Sequence, residues 1–294
     1  MARKAWLLVL LVLAAPLAPA WGQQGLLSGT GSTDDKTPVE VQADEALEWH
    51  RDDKVYIAKG NASAKRGDMT LLADILTAHY RDGANGGTQI WKLTASGNVR
   101  IITPTQKAFG DEAVYDVDPQ AAVLTGKNLK LETPQDTVTA QDSLEYWSLD
   151  KKAVAKGNAV ATRGQNRLRG DVLEARFQEN AQGNLDLKTI DAVGDVTIVT
   201  PSDVLRGQKG TYNVLAQTAV IDGDVRITRG DNQLNGDRAE VNLATGISRM
   251  LSSGPTPGKT GGRVKGLFVP NKPPDIKTQN GTPKQQGKKP SRGN

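Results

Sequence analysis

The chain has 294 residues, a formal net charge of +4 and no cysteine, which excludes disulfides and cysteine-based metal sites. The excess positive charge lies at the two ends, because residues 252–294 hold nine Lys or Arg and one acidic residue, while the body is mildly acidic. A nucleic-acid-binding body would carry a basic face, so the charge distribution argues against a nucleic-acid-binding core, and we expect no nucleic-acid partner. His50 and His79 are the only histidines. We therefore expect no metal site and no cofactor.

The N-terminus has the pattern of a secretory signal peptide. Arg3 and Lys4 precede an apolar stretch at 5–15, and prolines and small residues follow. We predict a cleaved signal over 1–22, followed by a polar leader over 23–37. The alternative is an uncleaved membrane anchor, although the apolar run is short for a bilayer span.

The body contains an internal duplication. The sequence AKGNA occurs at 58–62 and again at 155–159, an offset of 97 residues. The offset predicts two internal copies, about 41–137 and 138–234, within a folded region spanning 38–270. The segment that connects the two copies is not a Pro/Gly-rich linker, so we expect the copies to form one continuous unit.

The sequence beyond the second copy changes character toward the C-terminus. A short apolar piece from Val264 to Val269 is a candidate last strand. Lys, Gln, Gly and Pro dominate residues 271–294, which predicts a disordered basic tail.

The body is predicted to be all-β. Runs such as 99–103, 196–200 and 225–229 alternate between apolar and polar residues and are rich in Val, Ile and Thr. A glycine followed by Asn, Asp or Lys recurs along the chain. A turn signal follows it, and then a second small residue 13 or 14 positions after the glycine. This spacing predicts hairpins whose small residues face each other across the strands.

Repeated glycines on one line of a sheet indicate a bend, since glycine in a strand interior is otherwise unfavourable. We therefore predict a creased, V-shaped antiparallel sheet with an open apolar trough. An alternative is that each Gly-Asn pair is itself a tight hairpin turn. The predicted bend glycines are Gly60, Gly97, Gly110, Gly157, Gly170, Gly194, Gly207, Gly223 and Gly236.

Strand alternation also predicts which side chains line the trough. In the run at 99–103, Val99 and Ile101 face one side and Arg100 faces the other. The same alternation fits an ordinary closed core, and the sequence leaves both interpretations open. The predicted lining residues are Val39, Val41, Val99, Ile101, Val123, Leu129, Leu131, Val196, Ile198, Val225 and Ile227.

Several motifs resemble a known family. The sequence GNVRI at 97–101 is followed by a turn, then by Gly110-Asp111 and Tyr115; Ala73-Asp74 and Tyr80 repeat the last part. The opening PVEVQADEAL and the ending GRVKGLFVPN also match the pattern. Over 38–294 the chain resembles the LptA/OstA-like family of lipopolysaccharide export proteins. The duplicated body is longer than the usual single-domain member.

This resemblance implies a V-shaped β-jellyroll that shelters the lipid A acyl chains of lipopolysaccharide and catalyses no reaction. It also implies a periplasmic location and end-to-end self-association. The implied partners are an LptC-like inner-membrane protein and an LptD-like outer-membrane translocon. Two alternatives remain: an LptC-like anchored component of the same pathway, and an exported β-solenoid that binds polysaccharide.

Overall fold

The computed structural model describes residues 39–83, 87–181, 183–242, 244–245, 247–252 and 263–269. The predicted signal peptide, polar leader and basic tail lie outside the described residues. The described ranges form strands, turns and bends and contain no helix. Accordingly, no helix among them is a candidate membrane span.

Eighteen strands belong to one sheet, and every strand pairing recorded in it is antiparallel. The first nine are β1 (Glu40–Gln42), β2 (Ala46–His50), β3 (Val55–Arg66), β4 (Met69–Asp82), β5 (Thr88–Ile102), β6 (Lys107–Asp116), β7 (Ala121–Thr125), β8 (Leu129–Glu132) and β9 (Asp136–Ala140). The others are β10 (Ser143–Trp147), β11 (Lys152–Arg163), β12 (Asn166–Glu179), β13 (Leu185–Val199), β14 (Val204–Asn213), β15 (Thr218–Arg229), β16 (Asn232–Asn242), β17 (Ile247–Leu251) and β18 (Lys265–Leu267).

The chain meanders, so that each long strand pairs with the strands before and after it. Short strands share a line where a strand is interrupted: β7 and β8 both pair with β6, and β9 and β10 both pair with β11. The first line, β1 and β2, pairs with β3, and the last, β17 and β18, pairs with β16. The sheet therefore passes from the first sequence copy to the second without a break.

Each recurring Gly-Asn or Gly-Asp pair within a long strand is a β-bulge. In β5, Gly97 and Asn98 both have positive φ, 79° and 48°. Ser96 lies opposite Glu112, and the next paired residue, Val99, lies opposite Gly110. Gly97 and Asn98 together therefore lie opposite the single residue Asp111, which defines a bulge. Glycine adopts this backbone readily, and Asn and Asp tolerate it best among the other residues, which explains the repeated dipeptide. The bulge pairs are Gly60-Asn61, Gly97-Asn98, Gly157-Asn158, Gly194-Asp195 and Gly223-Asp224.

The bulges correct two expectations. The Gly-Asn pairs are not hairpin turns, because the strands continue through them, as β5 does from Thr88 to Ile102. The bulge glycine also does not face the second small residue of its hairpin: Ala73 pairs with Ala62, beyond the bulge at Gly60. The extra residue of the bulge shifts the register, which equal spacing from a turn does not reveal.

The remaining bend glycines have a different role. Gly110, Gly170, Gly207 and Gly236 pair with the first residue after a bulge on the preceding strand. A Cβ atom on Gly110 would lie 2.7 Å from Cγ of Leu124. These glycines therefore leave room for larger interior side chains.

The sheet buries its own inner face. The described residues contain no second layer, yet Ala58 and Ala62, on opposite sides of one bulge, are buried in the same apolar cluster. That cluster extends through both sequence copies to Val196, and a second cluster around Leu205 and Ile221 continues it. The crease at the bulges therefore brings the two halves of each strand face to face.

Candidate functional site: the interior between the two arms

The crease divides the long strands into two arms. Arm A is the part of each strand between its bulge and the turn at the Arg66-Gly67 end; in β5 it covers 99–102. Arm B is the part on the other side of the bulge; in β5 it covers 88–96. The inner faces of both arms line the interior.

Packed side chains fill the base of the interior beside the crease, a region that we call the floor. Val99, Val196, Val225 and Leu129 occupy the first inward position of arm A in their strands, and each is only 1% exposed. Small residues alternate with them along the crease, as Gly110 does beside Val99 and Gly207 beside Val196. These four predicted lining residues thus form closed packing at the base of the trough.

A second row lies further up arm A; most of its members are less covered than the floor, although Ala108 and Leu205 within it are buried. Ile101, Leu131, Ile198 and Ile227 belong to it and are partly buried. Cross-strand pairs connect the row without interruption from one sheet edge to the other. Its members, in order, are Val41, Ala64, Leu71, Ile101, Ala108, Leu131, Val138, Ala161, Leu168, Ile198, Leu205, Ile227, Leu234 and Gly266.

Arm B has an equivalent apolar row beside the crease. Its members, again connected by cross-strand pairs, are Leu47, Ala58, Leu76, Ala95, Ala113, Leu124, Leu144, Ala155, Leu173, Ala192, Gly210, Ile221, Ala239 and Met250. None of them is charged or has a polar side chain. The interior is therefore apolar on both sides of the crease along the whole sheet.

Aromatic residues collect in the next row of arm B, which we call the aromatic row. It contains Trp49, Tyr56, Tyr115, Tyr146 and Tyr212, linked by cross-strand pairs through small or aliphatic residues. Alanine is a strand neighbour of each tyrosine, as Ala122 is between Tyr115 and Tyr146. The small neighbour leaves room for each ring.

Some hydroxyls on this side of the interior are already hydrogen-bonded. Tyr80 follows Ala78 of the aromatic row on the same face, and its hydroxyl accepts a 2.8 Å bond from Nε1 of Trp49. Burial raises the pKa of Tyr146, although a hydrogen bond with Ser148 acts in the opposite direction. Burial likewise raises the pKa of Tyr212, and the nearby Arg163 opposes that shift.

Ion pairs form the upper rim of arm A. Asp136 accepts two 2.6 Å bonds from Arg163, and Asp203 accepts bonds of 2.6 and 3.0 Å from Arg229. The hydrogen bonds from Arg163 to Asp136 raise the pKa of the arginine, against the effect of burial. The rim charges are therefore largely neutralised in pairs.

Replacing Asp203 tests the strength of this rim. Its carboxylate is fully buried, so Asp203→Ala removes both bonds to Arg229 and leaves an unpaired, partly covered cation. We expect the free energy of unfolding to fall by about 2–3 kcal/mol, less than for a fully buried pair because Arg229 keeps some exposure. Urea denaturation measures the change.

Asp118→Ala is the matched control, because Asp118 also forms a two-bond pair with an arginine, Arg81, but at an exposed position. Exposed pairs contribute little, so we expect a much smaller change. Equal losses for Asp203→Ala and Asp118→Ala would contradict the role given to burial.

Three predicted lining residues are not covered positions of the interior. Val123 is on the outer face: it pairs with Val114 and Glu145, while its neighbour Leu124 points into the core. The interruption between β7 and β8 sets this alternation, and the sequence pattern did not reveal it. Val41 belongs to the second row but is exposed at the sheet edge, and Val39 precedes β1 and is also exposed.

The sequence interpretation did not identify the aromatic row. A signal was present, because aromatic residues recur at the 97-residue offset: Trp49 with Tyr146, and Tyr115 with Tyr212. Cross-strand register then places both pairs on one line.

The recurrent aspartates are structural. The Asp74 side chain accepts hydrogen bonds from Nδ2 of Asn98, in the bulge of the adjacent strand. Asp111 similarly accepts a 2.7 Å bond from the backbone N–H of Lys127. Among the described residues, His, Asp and Glu do not form a group of three that would hold a metal.

Both edges of the sheet expose apolar side chains. Leu47 and Trp49 are more than half exposed on β2, and Leu267 and Phe268 are more than half exposed at the other end. Among the described residues, β2 pairs only with β3, and β17 pairs only with β16. The outer side of each of these two strands therefore has no partner strand within the described ranges. The apolar rows of the interior therefore continue to two open edges.

These features define an all-β protein with a creased antiparallel sheet and an apolar interior. A family model described as "LptA/(LptD N-terminal domain) LPS transport protein" matches residues 40–146 and again 140–247. The chain therefore belongs to the LptA/LptD-N family of lipopolysaccharide transport proteins, which is a transport family rather than an enzyme family.

Two individual proteins are similar over parts of the chain. An uncharacterized protein of Rhizobium meliloti is 27% identical over 125 residues, which are 41% of this chain and 65% of the relative. The chain thus matches slightly less than two thirds of that relative's length. LptH of Pseudomonas aeruginosa, described as the LptA homologous periplasmic component of the lipopolysaccharide transport device, is 19% identical. That match covers 46% of this chain and 95% of LptH, with a TM-score of 0.38.

Proposed function

We propose that this protein is a periplasmic carrier of lipopolysaccharide, which shelters the lipid A acyl chains between its two arms and leaves the sugars outside. The observation that carries the proposal is the pair of apolar rows that continue from edge to edge of the sheet. Each methylene group removed from water contributes about 0.8 kcal/mol, so even partial shelter of several acyl chains is favourable. The signal peptide predicted for 1–22 supports a periplasmic location for the carrier.

The filled floor limits where the lipid lies. Val99 and its equivalents are covered by protein, so acyl chains would lie above them, against the partly buried residues of the second row of arm A and the facing row of arm B. Ile101, Ile198 and Ile227 are then the lipid-contacting residues, and Val99, Val196 and Val225 support them from below.

The open edges suggest how the carrier is assembled. Unpaired edge strands with apolar side chains favour β-augmentation, in which a strand of another chain extends the sheet. We propose that protomers join end to end in this way. An LptC-like partner at one end and an LptD-like partner at the other would then connect the inner membrane to the outer membrane.

In-cell photo-crosslinking tests the carrier. A photoreactive residue at Ile101 points into the interior, and one at the adjacent Arg100, which is exposed on the outer face, is the matched control. We expect an adduct with lipopolysaccharide at Ile101 and not at Arg100. A folded Ile101 variant without an adduct, or equal adducts at both positions, would contradict the proposal.

One observation favours a second candidate, an exported polysaccharide-binding protein. Trp49 and Tyr56 stack with ring centroids 5.8 Å apart and are both exposed, as in a surface that stacks against sugars. However, Tyr146 and Tyr212 in the same row are only 7% and 8% exposed, so they do not present their ring faces to a polysaccharide at the surface. Binding of a lipid-free polysaccharide that is lost in Trp49→Ala would support this candidate instead.

The anchored LptC-like alternative differs from the carrier at its N-terminus. The carrier requires a mature protein that begins after the signal, near residue 23. Sequencing the N-terminus of the exported protein separates the two, because an anchored protein retains residues 1–22.

A further inference from the structure

The two walls of the interior differ in chemistry. The inner positions of arm A hold only aliphatic residues and glycine in both of its rows. Arm B carries rings with polar tips, which are Trp49, Tyr56, Tyr80, Tyr115, Tyr146 and Tyr212. The interior is therefore asymmetric across the crease.

Tyrosine and tryptophan are suited to a boundary between apolar and polar surroundings. Their rings contact hydrocarbon, while the hydroxyl or indole N–H reaches a polar partner, as in the aromatic belts of membrane proteins. The aromatic row lies farther from the crease than the purely apolar row through Leu76 and Leu173. Along arm B, polarity thus increases from the floor toward the opening.

Tyr212 is the exception in its hydrogen bonding. The residue is 8% exposed, and its hydroxyl is buried without a hydrogen-bond partner among the described residues. Buried polar groups are nearly always paired, so an unpaired hydroxyl in a ligand-binding interior indicates a partner supplied by the ligand. By contrast, the hydroxyls of Tyr80 and Tyr146 are engaged by Trp49 and Ser148.

The surroundings of Tyr212 indicate the chemistry of that partner. Arg163, on the rim of arm A, opposes through its charge the rise that burial causes in the pKa of the Tyr212 phenol. Its guanidinium is already held by both oxygens of Asp136. The pair has no net charge to attract a phosphate, which favours a neutral acceptor such as a carbonyl oxygen.

We propose that the aromatic row positions the boundary between the acyl chains and the polar head of the bound lipid, and that Tyr212 donates a hydrogen bond to the carbonyl oxygen of an acyl linkage. The ligand class is an acylated amphiphile with an ester or amide carbonyl at the head of each chain. This inference rests on the proposed carrier function, since it concerns the same interior.

Binding of two probes by the purified full chain tests the inference. Lipid A has acyl-linkage carbonyls, whereas diphenylhexatriene is a hydrocarbon with no hydrogen-bond acceptor. We expect Tyr212→Phe to weaken lipid A binding by about three- to tenfold, the contribution of one hydrogen bond, and to leave diphenylhexatriene binding unchanged. Because the lost hydroxyl has no protein partner, the variant should melt no lower than the wild type.

Tyr146→Phe is the matched control, because that hydroxyl is already bonded to Ser148. We expect it to change lipid A affinity less than Tyr212→Phe does. Unchanged lipid A affinity in Tyr212→Phe, with both probes bound by the wild type, would overturn the inference and leave the carrier function intact. Equal weakening of both probes would indicate a packing role and would also overturn it. A wild-type protein that binds neither probe would refute the carrier function and the inference together.

Discussion

Gly194→Ala is expected to lower the free energy of unfolding by about 2–5 kcal/mol. Gly194 has a φ of +80°, where a side chain costs about 1–2 kcal/mol. A Cβ atom there would also lie 2.7 Å from Cβ of Asp171 and closer still to its carboxylate. Relieving that collision adds about 1–3 kcal/mol. Urea denaturation measures the loss.

Gly164→Ala is the matched control for this variant. Gly164 lies in a turn with a φ of +57°, but a Cβ atom there would have no neighbour within 4 Å. Only the backbone cost applies, so we expect a loss of about 1–2 kcal/mol. Similar losses for both variants would mean that the contact between the bulge and Asp171 has no energetic role.

The bulge also has a functional consequence. The crease turns the two arms toward each other, and the bulge glycines lie on it in both sequence copies. We therefore expect that Gly194→Ala protein that remains folded binds lipid A less tightly than Gly164→Ala protein. Comparing the two variants separates damage to the crease from general destabilisation.

Leu129→Ala is expected to destabilise the protein by about 2–5 kcal/mol, the usual range for a buried leucine. Leu129 is 1% exposed at the base of the trough and fills the space over Gly110. It also lies where the first sequence copy joins the second, since β8 pairs with β9. The cavity is therefore expected to weaken the junction as well as the floor.

The control is Leu149→Ala, which removes the same atoms from a side chain that is 63% exposed. We expect a change within about 0.5 kcal/mol. A loss of similar size in the two variants would contradict the assignment of Leu129 to the core.

The pairing of β8 with β9 joins the two sequence copies, which raises the question of whether the copies unfold as one unit. We propose that the copies unfold together, because one sheet and one apolar cluster include residues of both. Limited proteolysis of the wild type is then expected to yield no stable half. Two stable fragments separated by a cut near Asp136 would contradict this proposal.

Sequence periodicity was sufficient to predict the β architecture and the repeat. Alternation at 99–101 correctly separated buried Val99 from exposed Arg100, because each strand of a sheet with one covered face has a simple period of two. The family followed from motifs spread along the repeat, and the family match extends over both copies.

Other features depended on the tertiary structure. The register decides which residues face each other across two strands, and each bulge adds one residue to one strand. Spacing from the turn alone therefore predicted that Gly60 faces Ala73, whereas Ala62 does. The interruption between β7 and β8 likewise placed Val123 on the outer face.

The sequence thus determined the strands, their period and the family, because these depend on local alternation and on repetition. Only the tertiary structure decided that the floor at Val99 is filled and that Tyr115, Tyr146 and Tyr212 share one line. Both properties arise from side chains that are far apart in the chain and become neighbours through cross-strand pairing and the crease.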